Sequence, residues 1–129
     1  MRLYLVRHAQ AEPGHPDELR RLTPEGREQA RLLAERLAGE RPEAVVTSPL
    51  LRARETADVL ARACGLEAEP DERLAPGATS ADARRAASER GERIVLVGHQ
   101  PDLGRIAAAL TGGDEPPFPT AGMAVIDLT

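Results

Sequence analysis

The chain has 129 residues, 41% of them hydrophobic but only 2% aromatic, and a formal net charge of −4 at neutral pH. That length implies one domain spanning residues 1–129, with a core of Leu, Val, Ile and Ala. The acidic balance argues against nucleic acid or an anionic membrane as the main partner. All 17 basic residues are arginine, a composition bias that says nothing by itself about phosphate binding.

Cys64 is the single cysteine, so no disulfide can form within the chain. It ends an apolar helical stripe just before Gly65, as a small core residue would. The only apolar run near the N-terminus covers residues 3–6, shorter than the roughly 7–15 residues of a signal-peptide core. No run approaches the roughly 18 apolar residues of a membrane span. A soluble, cytoplasmic protein is expected.

Residues 3–6 read Leu-Tyr-Leu-Val, a continuous apolar run and hence a strand buried on both faces. Arg7 and His8 follow at its carboxyl end, where open α/β sheets bind ligands. Residues 9–22 are polar, contain Pro13, Gly14 and Pro16, and read as a loop. His15 and Asp17 lie in it, either reaching the site or standing in solvent. Thr23 caps the first helix, with Pro24 at its first position and Glu25 in its first turn. Ala30, Leu33, Ala34 and Leu37 supply its apolar face, and Gly39 closes it.

Residues 44–47 form a second buried strand, ended by Ser48-Pro49, and residues 50–64 a second helix. Arg52 lies in its first turn, near a strand's carboxyl end and a helix N-terminus that favours anions. Read alone, Arg52 and Arg54 are equally well explained as partners of Glu55 or Asp58. A short strand at 66–69 leads to a loop holding Asp71, Glu72 and Arg73. Ser80 is expected to cap a third helix running through Arg90, loosely packed because it has few large apolar residues. Residues 93–98 are the clearest strand, and His99 stands at its carboxyl end. Asp102 is expected to cap a helix over 103–110, which Gly112-Gly113 ends. After a proline-rich loop at 114–119, residues 121–128 alternate like a strand at a sheet edge. Strands alternating with helices imply an α/β fold: a three-layer αβα sandwich, its sheet mostly parallel with an antiparallel edge strand.

Three strand ends thus bring Arg7, His8, Arg52 and His99 to one edge. Two guanidinium forks and one imidazole can grip a tetrahedral dianion. The other imidazole can attack phosphorus and become phosphorylated. That step needs a neutral ring whose second nitrogen donates to a backbone carbonyl, a partner the sequence does not reveal. A metal site would want carboxylates or several histidines within reach, whereas this set is cationic and would repel a divalent ion. No metal and no cofactor are expected.

Leu5-Val6-Arg7-His8-Ala9 resembles the Arg-His-Gly signature of the histidine phosphatase (phosphoglycerate mutase-like) superfamily. Ser48-Pro49-Leu50-Leu51-Arg52-Ala53-Arg54-Glu55-Thr56 resembles its second motif, Val95-Leu96-Val97-Gly98-His99 its third, and Leu22-Thr23-Pro24-Glu25-Gly26 its helix start. The four occur in family order across nearly the whole chain. Within the superfamily the chain resembles the short SixA-type phosphohistidine phosphatases. His99-Gln100-Pro101 is similar to their His-x-Pro turn, and residues 113–120 are similar to the segment before their last strand.

The resemblance implies a phosphoglycerate mutase-like fold and a role for each matching position. His8 would be the phosphorylated nucleophile, while Arg7, Arg52 and His99 would hold the phosphoryl oxygens. Arg54 would be a surface charge. Ala9 replaces the usual glycine; its methyl group adds bulk to the backbone near the phosphate, and activity is expected to survive the change. Larger relatives use a glutamate after the second helix as general acid. Glu72 occupies that region, with Asp17 and His15 as alternatives. The implied substrate is a phosphohistidine-bearing protein, a phosphotransfer domain of a signalling relay. The mutases' long segments that roof the site are missing here. A phosphatase for a small phosphate ester and an inactive phosphate-binding interaction module are the competing readings.

Overall fold

The computed structural model describes residues 1–128. The elements, in chain order, are β1 (Arg2–Arg7), α1 (Pro24–Glu40), β2 (Ala44–Thr47), α2 (Leu51–Ala63), β3 (Ala68–Pro70), α3 (Ser80–Ala87), β4 (Arg93–Gly98), α4 (Asp102–Thr111) and β5 (Met123–Asp127). Short 3-10 turns occur at Asp17–Leu19 and Glu72–Leu74. The five strands form one sheet in the order β3-β2-β4-β1-β5. All neighbours are parallel except β1 and β5, so the antiparallel strand lies at the edge as expected.

Alternation along β1 divides the core in two. Leu3 and Leu5 face one cluster, with Ala83, Ala86 and Ala87 of α3 and Leu103, Ile106 and Ala107 of α4. Tyr4 and Val6 face the other, with Leu33, Ala34 and Leu37 of α1 and Ala53, Ala57, Leu60 and Ala61 of α2. Helices therefore cover both faces, and residues 3–6 of β1 and 94–98 of β4 are buried, which accounts for their continuous apolar runs. Among the described residues, no helix is long and apolar enough to cross a membrane.

Local signals place most boundaries, and several depart from expectation: β3 covers Ala68–Pro70 rather than 66–69, and β5 Met123–Asp127 rather than 121–128. Thr23 caps α1 as its sequence implies, its hydroxyl accepting from the Gly26 amide at 2.9 Å. The helix nevertheless runs past Gly39 to Glu40, and Arg41 takes the left-handed closing conformation. For α3 the cap is Thr79 rather than Ser80, because Thr79 and Asp82 form a reciprocal capping box. That helix ends at Ala87, not Arg90. The chain turns through a left-handed Glu89, and the Arg90 guanidinium returns to the Ala86 carbonyl at 2.7 Å. Nor is α3 loosely packed. Ala83, Ala86 and Ala87 are fully buried and belong to the core cluster that includes Leu5, Ile94 and Leu96 of the sheet. Asp102 is the first residue of α4 and not its cap. Its carboxylate accepts from the Gly77 amide at 2.8 Å, tying α4 to the loop before α3.

Candidate active site

Sheet register builds the site. Thr47 of β2 and Val6 of β1 both stand opposite Val97 of β4, and Arg7 stands opposite Gly98. The ladder continues one residue further on each side. The Ser48 amide donates to the Val97 carbonyl at 2.9 Å, and the His8 amide to the Gly98 carbonyl at 3.1 Å. Arg7, His8, Ser48 and His99 therefore leave the sheet at one level, and the first turn of α2 brings Arg52 beside them. His8, Arg52 and His99 are 8%, 7% and 5% exposed. The two imidazole centroids are 5.3 Å apart, with the rings tilted at 55°.

His8 Nδ1 lies 2.8 Å from the Ala9 carbonyl oxygen. A carbonyl only accepts, so Nδ1 carries the proton and Nε2 carries the lone pair. This is the backbone partner that the sequence could not reveal. Its aim is fixed by several hydrogen bonds on the next two residues. The Ala9 amide donates to Thr56 Oγ1 at 3.0 Å, and Thr56 Oγ1 donates to the Arg52 carbonyl at 2.8 Å. The Gln10 amide donates to Gln29 Oε1 at 2.9 Å, and the Gln10 carbonyl accepts from the Thr23 amide at 3.0 Å. Gly26 is needed here, since a Cβ would run into the Gln10 carbonyl. The Ala9 methyl packs with Leu22 and Ala30 in a small buried cluster.

Arg7, Arg52 and His99 each keep one buried side-chain nitrogen without a partner among the described residues. Arg7 Nη1 donates to the Phe118 carbonyl at 2.9 Å. Arg52 Nη1 donates to the Asp17 carbonyl at 2.9 Å, and Nη2 to Asp17 Oδ2 at 3.2 Å. His99 Nε2 lies 2.7 Å from Ser48 Oγ. Arg7 Nε, Arg52 Nε and His99 Nδ1 are buried with no partner among the described residues. Unpaired buried nitrogens of this kind are rare and each costs about 1–3 kcal/mol. An oxyanion with several lone pairs can satisfy them together.

Both imidazoles are held neutral. Burial pushes His8 down to about 4 against the opposing pull of the Ala9 carbonyl, and Arg52, Arg7 and Arg20 add to the depression. Burial likewise pushes His99 down to about 4, helped by His8 and Arg52. A neutral His8 with a free Nε2 is a competent nucleophile at neutral pH.

Asp17 reaches the site, on the 3-10 turn above Arg52, and Arg20 pairs with its other oxygen at 3.0 Å. His15 is exposed and makes no side-chain hydrogen bond among the described residues. Glu72 begins the second 3-10 turn, exposed. It lines a shallow groove with Arg73, Ala75, Gly77 and Asp82, which includes none of the four converging residues. Arg54 is exposed on α2. Sequence reasoning assigned no role to Ser48 or Thr56. The available signal was hydroxyl side chains flanking Arg52 in a segment otherwise destined for burial. Among the described residues, no three His, Cys, Asp or Glu side chains cluster closely enough to hold a metal ion.

Comparison with known proteins shows which family the chain resembles. Residues 3–76 match the model of the histidine phosphatase superfamily (branch 1). The phosphohistidine phosphatase SixA of Escherichia coli is 31% identical over 138 aligned residues, covering 99% of this chain and 86% of SixA. A solved structure of the protein histidine phosphatase SixA complexed with tungstate superposes with a TM-score of 0.88 at 30% identity, covering 99% of this chain and 88% of that one. A mycobacterial glucosyl-3-phosphoglycerate phosphatase superposes with a TM-score of 0.67 at 25% identity, covering 87% of this chain and 80% of that one. By its sheet, its motifs in order and its full-length likeness to SixA, the chain belongs to the histidine phosphatase superfamily, in its short SixA-like form.

Proposed function

We propose that this chain is a cofactor-independent phosphohistidine phosphatase acting through a phosphorylated His8, with a phosphotransfer domain of a signalling relay as its substrate. The observation that carries this reading is the His8 ring, whose Nδ1 is committed to the Ala9 carbonyl while Nε2 makes no hydrogen bond among the described residues. Nε2 attacks phosphorus, forming one P–N bond as the bond to the substrate imidazole breaks. The departing imidazole takes up a proton. Water then attacks phospho-His8, releasing inorganic phosphate and restoring the neutral ring. Arg7, Arg52 and His99 bind the phosphoryl oxygens throughout, with Arg7 Nε, Arg52 Nε and His99 Nδ1 as donors awaiting them.

The proton for the leaving group is a small demand. An imidazole protonated on its distal nitrogen departs far more readily than an alkoxide, so acid assistance matters less than for an ester. The proposed donor is Glu72, exposed on the 3-10 turn that follows β3. Asp17 is poorly suited, because its two carboxylate oxygens are engaged by Arg20 and Arg52. A protein-sized substrate is supported by the rim, where Leu19, on the same 3-10 turn as Asp17, is 64% exposed. Likeness to a sugar-phosphate phosphatase favours a second reading, hydrolysis of a small phosphate ester by the same His8 chemistry.

Side-by-side rates on a phosphohistidine-bearing phosphotransfer domain and a panel of small phosphate esters separate the two, with His8→Ala as control and a chelator arm. Strong preference for the phosphoprotein, unaffected by chelator, is expected. Preference for one ester would move the function to small-molecule metabolism, and loss of rate to chelator would end the cofactor-independent reading.

A further inference from the structure

Ser48 Oγ is fully buried and has two neighbours. The Leu50 amide donates to it at 3.2 Å, and His99 Nε2 lies 2.7 Å away. A hydroxyl has one proton to give, and a buried one needs an acceptor. Among the described residues, the His99 ring nitrogen is the one acceptor in hydrogen-bond contact with Ser48 Oγ. Were Nε2 protonated, it would donate to Oγ, and the serine proton would be buried unpaired.

We propose that Ser48 is a positioning residue that sets the tautomer of His99: its hydroxyl donates to Nε2, so the ring proton resides on Nδ1. Nδ1 is the ring atom left buried without a partner. In this tautomer it is a donor and joins the Nε–H groups of Arg7 and Arg52 as a third hydrogen bond for a phosphoryl oxygen. In the other it would carry a lone pair and repel that oxygen. Burial keeps the His99 ring neutral down to about pH 4, so at neutral pH a tautomer rather than a cation is being selected. The same logic acts on His8 through a different partner, the Ala9 carbonyl. The two rings thus share one protonation pattern and serve opposite roles. His8 offers the lone pair of Nε2, and His99 offers the proton of Nδ1. The donor role of His99 rests on the reading of this edge as a phosphoryl site; its tautomer does not.

The test is long-range nitrogen–proton NMR on the full chain with isotope-labelled histidine at neutral pH, His99 being assigned by the signal lost in His99→Gln. Tungstate, a tetrahedral dianion, is titrated in parallel. The expected result is a single Nδ1–H tautomer for His99 in the wild type. In Ser48→Ala the two tautomers mix and tungstate binds about tenfold more weakly. A wild-type His99 protonated on Nε2 overturns the inference whether or not the variant folds, as does a Ser48→Ala spectrum that keeps the pure Nδ1–H form. Failure of the wild type to bind tungstate, with His99 protonated on Nδ1, overturns the phosphoryl-site reading and leaves the serine's control of the ring supported.

Discussion

The Thr56 hydroxyl accepts the Ala9 amide proton at 3.0 Å across 47 residues of chain, which ties helix α2 to the residue whose carbonyl holds the His8 ring. The same oxygen donates to the Arg52 carbonyl one turn back. One buried threonine therefore couples the backbone positions of His8 and Arg52. Thr56→Val keeps the shape and removes both bonds. It is expected to lower stability by about 1–3 kcal/mol, since it leaves a buried amide unpaired, and to slow turnover. Urea unfolding and steady-state kinetics measure the two effects. A variant matching the wild type in both would show that Ala9 is held by other means.

Arg52 and Arg54 stand two residues apart on α2 and differ completely in surroundings. Arg52 is buried with a free Nε, whereas Arg54 is exposed. Arg52→Ala is expected to raise the barrier by something on the order of 2.7–4 kcal/mol, as when an oxyanion donor is lost. Arg54→Ala is expected to change kcat/KM and stability by no more than about 0.5 kcal/mol. Comparison of the two kcat/KM values decides the assignment, and a costlier Arg54 would reverse it.

Much of this site was readable from residue order. Continuous apolar runs ending in Arg7-His8 and His99 announced two central strands and placed all three residues at one sheet edge. The Thr23-Pro24-Glu25 start of α1 was equally plain, because capping is local chemistry. What escaped depends on tertiary contact. The carbonyl that orients His8 belongs to Ala9, and any residue there would supply one. Asp17 lies in a polar loop with nothing local to show that it reaches Arg52. The packing of α3 was misjudged because alanines look weak in a list of apolar residues, although three of them are fully buried in the core here. The Ala9 methyl, expected to be tolerated near the phosphate, packs as core beside Leu22 and Ala30.

Asp17 places a carboxylate oxygen 3.2 Å from Arg52 Nη2, where an incoming phosphoryl group would meet a like charge. Asp17→Asn removes that charge while retaining a side chain that can accept from Arg52. Its side chain is 56% exposed, so the repulsion is that of charges in water, about 1 kcal/mol at about 4 Å. Tungstate or phosphate is expected to bind about fivefold more tightly to the variant, as read by calorimetry. Weaker binding would mean that Asp17 serves chiefly to position Arg52.

The two buried histidines make stability depend on pH in a defined window. Each is depressed from 6.5 to about 4, so between those values the unfolded chain binds protons that the folded chain refuses. Stability therefore falls as pH drops through this range, by up to about 1.4 kcal/mol per pH unit per histidine. Urea midpoints across the window test the slope, and His8→Asn with His99→Asn should flatten it. A wild-type stability flat across that window would contradict neutral burial of the two rings.

The most direct test of the His8 mechanism is to trap the phosphorylated enzyme. The chain is mixed with a radiolabelled phosphohistidine phosphotransfer domain, quenched in base within the first turnover, and mapped by peptide mass. Label on the peptide containing His8, absent from His8→Ala and lost as inorganic phosphate appears, is the expected result. Turnover at the wild-type rate with no label on His8, or with His8→Ala still active, would contradict it.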